Sequence, residues 1–305
     1  MFRHICLEFG SKRVESQQTG RGIGFALAGA FFYGFNITFA KISSEMGVQG
    51  PMIVAERVLV MIAIGLCFAA LTRSAIRIAT GEIIPMGLLG LGSMGVSIGY
   101  LSSVAFIPIT VAAVIFYTFP ILIVIASPFV DGKKLTPAML GIVTLAFIGV
   151  VLVLGMAGGD LDLRGVALAL LASVSAAMQF FAGTRCRVTS NAAKIVVTQA
   201  IVLPGALISV WATGGVFTIE TQIAAAVPIW LTIGGFVLGF VFQILALARI
   251  SATVAGLVFC LEPVVAAITS AIVLDERLQA IQYFGGFLVI VAIALTMLAE
   301  RQAAR

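Results

Sequence analysis

Charge is what this sequence has least of. Only 10% of its 305 residues are charged, against about 25% in a soluble domain. Such a chain cannot cover two aqueous domains with solvated side chains, although its length alone would fit them. Histidine is nearly missing as well. The single one, His4, lies in the polar N-terminal stretch, which argues against a histidine-based metal or catalytic centre. The four cysteines, Cys6, Cys67, Cys186 and Cys260, form no CxxC pair and no metal-like spacing. They read as small apolar side chains rather than as disulfides or redox groups. No GxxxxGK[ST] pattern occurs, so ATP drive within this chain is not expected. No cofactor is expected either.

Apolar residues fill the space that charge leaves. The hydrophobic fraction is 61% and the mean hydropathy is +1.18. Ten apolar runs can be drawn, approximately 22–43, 51–71, 83–106, 107–130, 135–156, 163–184, 192–213, 227–248, 250–273 and 278–299. Each is about as long as a membrane-spanning helix, and backbone polar groups in lipid must be satisfied internally, as a helix does. Between the third and fourth runs, and between the eighth and ninth, only Pro108 and Arg249 mark a break. The expected fold class is therefore an all-α integral membrane protein of ten helices.

Lys and Arg distribution orients the spans. With the N-terminus inside, the inner loops and tails collect fourteen cations, among them Arg73, Arg77, Lys133, Lys134, Arg185, Arg187, Lys194, Arg249, Arg301 and Arg305. The outer ends hold Lys41, Arg164 and Arg277, beside Asp160, Asp162 and Glu220. That bias predicts both termini cytoplasmic in a cell (inner) membrane. It also explains the net charge of +5 without nucleic acid, since no basic patch interleaved with aromatics is present.

The chain repeats itself at an offset of 143 residues. Arg21-Gly22 matches Arg164-Gly165, while Pro85, Leu88 and Gly92 match Pro228, Leu231 and Gly235. Ile107, Thr110, Val111, Ala112, Phe116 and Pro120 match Ile250, Thr253, Val254, Ala255, Phe259 and Pro263. Each copy holds five spans, so the second enters the membrane from the opposite side, and inverted repeats place a substrate site near mid-membrane where the halves meet. The expected organisation is a tail over 1–21, repeats over 22–157 and 163–300, and a tail over 301–305.

Short motifs in both halves resemble the EamA domain of the drug/metabolite transporter (DMT) superfamily. Phe32-Tyr33-Gly34-Phe35-Asn36 running to Lys41 is similar to that family's first-helix element, and Ala55-Glu56-Arg57-Val58 to its second-helix element. Cys260-Leu261-Glu262-Pro263-Val264, the acidic turn Asp275-Glu276-Arg277-Leu278 and the Gly-rich stretch 285–291 resemble its last two helices. The chain departs from the pattern at Tyr33, where Trp is usual, and at Phe119, the first-half partner of Glu262. The resemblance implies secondary transport, often export of amino acids or related metabolites. Uptake of a vitamin or nucleobase-like compound is the alternative.

Several residues become candidates on these grounds. Glu262 is the one deep acid, and a charge at the membrane centre costs about 2.5–3.5 kcal/mol on insertion scales. It either binds a cationic group or a coupling proton, or serves structurally beside Pro263. Asn36 and Gln179, and Tyr100 and Gln243, occupy equivalent repeat positions; they line a cavity or bond helix to helix. Tyr33, Phe32, Tyr117, Phe180 and Phe259 are expected as walls. Glu56, Arg57 and Lys41 are either gates or anchors, with Glu45 or Glu276 as partners for Arg57. Pro120 and Pro263 are candidate hinges, and the GxxxG pairs Gly95/Gly99 and Gly235/Gly239 allow close packing. The partners expected are a small-molecule substrate and the bilayer, and a monomer is compatible with the sequence. A membrane-embedded enzyme would need a nucleophile, a base and an orienting group in reach, and no such set is visible. Saturable, exchangeable flux would separate a carrier from a channel.

Overall fold

The computed structural model describes residues 2–132, 134–155, 162–215 and 218–303, with side chains described between residues 17 and 300. Lys133, Asp160 and Arg305, counted above, lie outside the described residues, as do the side chains of His4, Cys6 and Arg301. Among the described residues every regular element is a helix. The helices are α1 (Phe2–Glu45), α2 (Gly50–Thr72), α3 (Ile83–Ser103), α4 (Ile109–Phe116), α5 (Phe119–Val130), α6 (Pro137–Leu154), α7 (Leu163–Arg185), α8 (Asn191–Ala212), α9 (Ile219–Ala224), α10 (Ala226–Leu247), α11 (Ala252–Phe259), α12 (Glu262–Val273) and α13 (Ala280–Ala303). Ten spans long and apolar enough to cross a membrane run through them.

Local sequence explains the helix ends. Asp162, Ser190 and Ser251 cap α7, α8 and α11 by accepting the N–H of Arg164, Ala193 and Val254, which satisfies donors a helix start leaves open. Pro51 and Pro137 stand in the first turns of α2 and α6, where a missing N–H costs nothing. The polar start of the chain is not a separate segment: α1 is one helix from Phe2 through Glu45. The fourth span begins at Ile109 and the ninth at Ala252, two residues later than the sequence runs suggested.

The fourth and ninth spans are each broken once, at matched places. The fourth is interrupted at Tyr117-Thr118 between α4 and α5, the ninth at Cys260-Leu261 between α11 and α12. Tyr117 and Thr118 bond to Ala113 and Ile115, while Cys260 and Leu261 bond to Leu257 and Val258. Pro120 and Pro263 follow at once; having no N–H, they leave the carbonyls of Phe116 and Phe259 without the usual helical donor. The helices of the first half therefore map onto those of the second, break included.

Packing follows the same exchange. α1 lies along α10 and α3 along α7, and these are equivalent pairs. α2 packs on α8, α6 on α13 and α5 on α11. Lipid offers no hydrophobic drive to bring helices together, so close backbone approach must do it. Gly92 on α3 faces Ser175 O and the backbone of Gln179; its counterpart Gly235 on α10 faces Phe32 O and Asn36. A Cβ at Gly92 would stand 2.8 Å from Ser175 O, and one at Gly235 3.0 Å from Phe32 O. Large side chains such as Leu71, Phe129 and Trp211 point outward. In water such a surface would aggregate; on a membrane span it meets lipid.

Candidate functional site

The two broken spans bring Glu262 to the interior of the bundle. It opens α12 immediately after the Cys260-Leu261 break and remains half-buried. The Tyr117 hydroxyl, standing in the opposite break, donates to its carboxyl group. Tyr33 on α1 and Tyr100 on α3 lie within electrostatic range of the same carboxyl. The chain has four tyrosines; three of them surround this acid. All three belong to the first half and Glu262 to the second, so the cluster is built across the boundary between the repeats.

A second layer holds the tyrosines. Tyr33 donates to Gln243 Oε1 across 2.9 Å, so Gln243 fixes the ring that faces Glu262. Tyr33 also packs against Phe236 and Phe259, with centroids 5.4 and 6.0 Å apart. Phe180 stands edge-on to Phe259 at 5.3 Å and meets Phe119 at 5.3 Å. Tyr100 contacts Phe116 at 5.5 Å. Such pairs prefer tilted or edge contacts and contribute about 0.5–1.5 kcal/mol each beyond their buried area. The result is partly accessible polar groups (Glu262, Tyr33, Tyr100) set among buried aromatic rings. Cys260, beside Glu262, is buried and donates weakly to Gly256 O.

Arg57 reaches this cluster rather than a surface acid. Its guanidinium lies 3.7 Å above the Phe236 ring, which also touches Tyr33. The expected partners Glu45 and Glu276 do not receive it. Glu276 is instead paired with Lys41, and a guanidinium stacks well on an aromatic face where lipid would leave an ammonium poorly solvated. Glu56, the next residue, turns the other way and accepts Gln222 Nε2 at 2.7 Å, tying α2 to α9.

Asn36 and Gln179 occupy the two equivalent helix crossings, α1 on α10 and α7 on α3. Gln179 Nε2 donates to Ser93 Oγ at 2.8 Å. Asn36 Oδ1 is buried without a partner among the described residues. Both are therefore set by the crossings, and the structure does not join them to the tyrosine ring. Phe32 stacks on Phe242 at 5.7 Å, on the same α1–α10 contact.

Two ion pairs tie spans together at the ends of the bundle. Lys41, near the end of α1, pairs with Glu276 in the turn after α12. Arg185, at the end of α7, bonds Asp131 Oδ1 at 2.8 Å and Val130 O at 2.8 Å in the turn after α5. Because α7 and α5 are the repeat counterparts of α1 and α12, the pairs sit at corresponding places on opposite ends. They are offset from the 143-residue register by one and two positions, which is why a gap-free comparison does not reveal Arg185 and Asp131.

The family model described as the EamA-like transporter family matches residues 20–155 and again 163–298. The chain belongs to the EamA-like transporter family. Both ends of the two matches differ by the 143 residues of the internal repeat, and together they cover nearly the whole chain. An EamA-like protein of this family is a DMT-superfamily transporter in a multi-pass membrane fold. Among curated protein sequences none matches this EamA-like chain. A solved crystal structure superposes on it with a TM-score of 0.77, covering 92% of this chain and 99% of its own, at 18% identity. That likeness supports the EamA-like fold alone.

Proposed function

We propose that this EamA-like protein is a secondary active carrier. It moves a small zwitterionic or amphiphilic metabolite, such as an amino acid, outward across the cell membrane by alternating access. Both termini are cytoplasmic in this reading, as the loop cations favour. One observation carries it: Glu262 stands between the breaks of two equivalent spans, ringed by Tyr33, Tyr100 and Tyr117. An ionisable group inside the membrane is functional by default, and broken helices with exposed polar groups build the midplane sites of inverted-repeat carriers. Glu262 takes the cationic group of the substrate or a coupling proton. The tyrosine hydroxyls orient it, and Phe180 and Phe259 receive the apolar body.

Lys41–Glu276 and Arg185–Asp131 serve as latches on the outer and inner ends. Arg57 acts through Phe236 and Tyr33 as a positioning residue. Pro120 and Pro263 place the breaks about which each span bends. The reading is tested by counterflow in proteoliposomes against a metabolite panel, with and without a pH gradient, for the wild type and Glu262→Gln. Saturable exchange of one substrate class, lost or uncoupled from pH in Glu262→Gln, supports it. Exchange with unchanged pH dependence in that variant overturns the role of Glu262.

A further inference from the structure

We propose that the end of the bundle between α1, α8 and α10 holds a binding site for an anionic group, a phosphate or a carboxylate, centred on Lys194. A cavity of about 450 Å³ opens there, lined by Arg21, Arg187, Lys194 and Arg249 together with Ser190 and Asn191 at the start of α8. Among the described residues no acidic side chain lines it. Lys194 is only 3% exposed, and among the described residues its ammonium makes no hydrogen bond and no ion pair. Lysine is rarely so buried unless paired, and here the side chain is enclosed by protein while it lines the cavity. The positive-inside bias accounts for cations in loops; it does not account for one turned inward.

The groups facing Lys194 leave that charge uncompensated. Glu82 is the nearby acid, but its carboxylate is already occupied. It accepts the N–H of Arg187 at 2.6 Å, Val188 at 2.7 Å and Thr189 at 2.8 Å. Cys186 lies close and is a neutral thiol in this setting, donating to Ala182 O. Arg249 spends one N–H on Leu245 O at 2.7 Å and stacks on Phe25, while Arg187 spends its Nε on Thr184 O; among the described residues the remaining guanidinium donors of both have no hydrogen-bond partner. The start of α8 adds the positive end of a helix dipole, with Ser190 capping Ala193 N. Four cations and a helix start thus converge on an accessible hollow, an arrangement suited to a planar or tetrahedral oxyanion.

The repeat shows that this cluster is not a by-product of the fold. Arg21 is matched by Arg164, but at the other equivalent positions Lys194 is replaced by Pro51, Arg249 by Phe106 and Arg187 by Ser44. Only one end of the bundle carries the site. The anion is either a free solute on its way to or from the interior or the phosphate of a membrane lipid headgroup.

The test uses the full chain, and its readout is independent of transport. In neutral detergent, the thermal unfolding midpoint is followed against inorganic phosphate with ionic strength held constant by chloride. In parallel, the midpoint is compared in nanodiscs of phosphatidylcholine with and without phosphatidylglycerol. A saturable rise with phosphate, absent in Lys194→Gln and kept in Lys194→Arg, supports a site for a free anion. A rise with phosphatidylglycerol alone, with the same variant pattern, supports a headgroup site. If Lys194→Gln does not fold, Arg249→Gln is read in its place and should show at least a severalfold weaker response. Phosphate no better than chloride together with phosphatidylglycerol no better than phosphatidylcholine overturns the proposal, as does a wild-type response in both variants.

Discussion

Tyr117 and Glu262 join the two broken spans: the hydroxyl in one break donates to the carboxyl that begins the helix after the other. Each residue comes from a different repeat, so the bond crosses the boundary between the halves. Any rocking of one half against the other must stretch it or carry it along. The proposed carrier therefore has its one deep acid at the place where relative motion of the halves is felt.

Replacing Tyr117 by Phe removes that bond and little volume. An ordinary hydrogen bond contributes about 0.5–1.5 kcal/mol net, so the apparent KM for counterflow rises about two- to tenfold. Wild-type kinetics in Tyr117→Phe would show that the hydroxyl does not orient Glu262 for substrate.

The two latches should act in opposite senses. Exposed ion pairs are worth about 0–1 kcal/mol, enough to shift a balanced equilibrium up to about fivefold. Asp131→Asn should increase labelling of interior cysteine probes from the inner side, and Lys41→Gln from the outer side. Both variants shifting accessibility to the same side would contradict the assignment.

Glycine tolerance should follow the crossings. Gly92→Ala and Gly235→Ala force backbones apart where α3 meets α7 and α10 meets α1, and overpacking of this kind costs about 1–3 kcal/mol. A methyl group added at Gly234 would meet nothing within 4 Å, so Gly234→Ala should hold or slightly raise the unfolding midpoint. Equal loss at Gly234 and Gly235 would show that the crossing contacts are not what matters.

Cys186, between α7 and α8, has its thiol pushed up to about 11, chiefly by burial and then by the nearby Glu82 carboxylate. A raised thiol pKa means less thiolate at any given pH, and the thiolate is the reactive form. With the other cysteines replaced by serine, the folded protein should resist alkylation at pH 8 and react only after denaturation. Fast labelling of the folded protein at that pH would refute this.

Much of this is legible in the residues. Lipid forces apolar helices, so the ten spans follow from composition and length. Matched prolines and glycines in one register reveal the repeat, and Glu262 stands out because an acid is expensive there. The tyrosines at 33, 100 and 117 are expected near the interior, but nothing in the sequence shows that all three converge on Glu262. That convergence depends on the breaks at Tyr117 and Cys260, and a proline only hints at a break. Arg57 goes to Phe236 rather than to a surface acid, because spacing along one helix says nothing about a ring on another. Arg185–Asp131 escapes a sequence comparison because the latches correspond in space and not residue for residue. Lys194 looks like one more inner cation until its burial is seen.

The carrier mechanism requires two halves threaded through the membrane in opposite senses. Lys134, after α5, and Arg277, after α12, occupy the same repeat position and are both exposed. Single-cysteine variants at these sites, labelled in sealed vesicles with a membrane-impermeant maleimide, give the most direct measurement. The prediction is that Lys134→Cys reacts only from the cytoplasmic side and Arg277→Cys only from the opposite side. Reaction of both from one side would contradict the inverted pair and the carrier built on it.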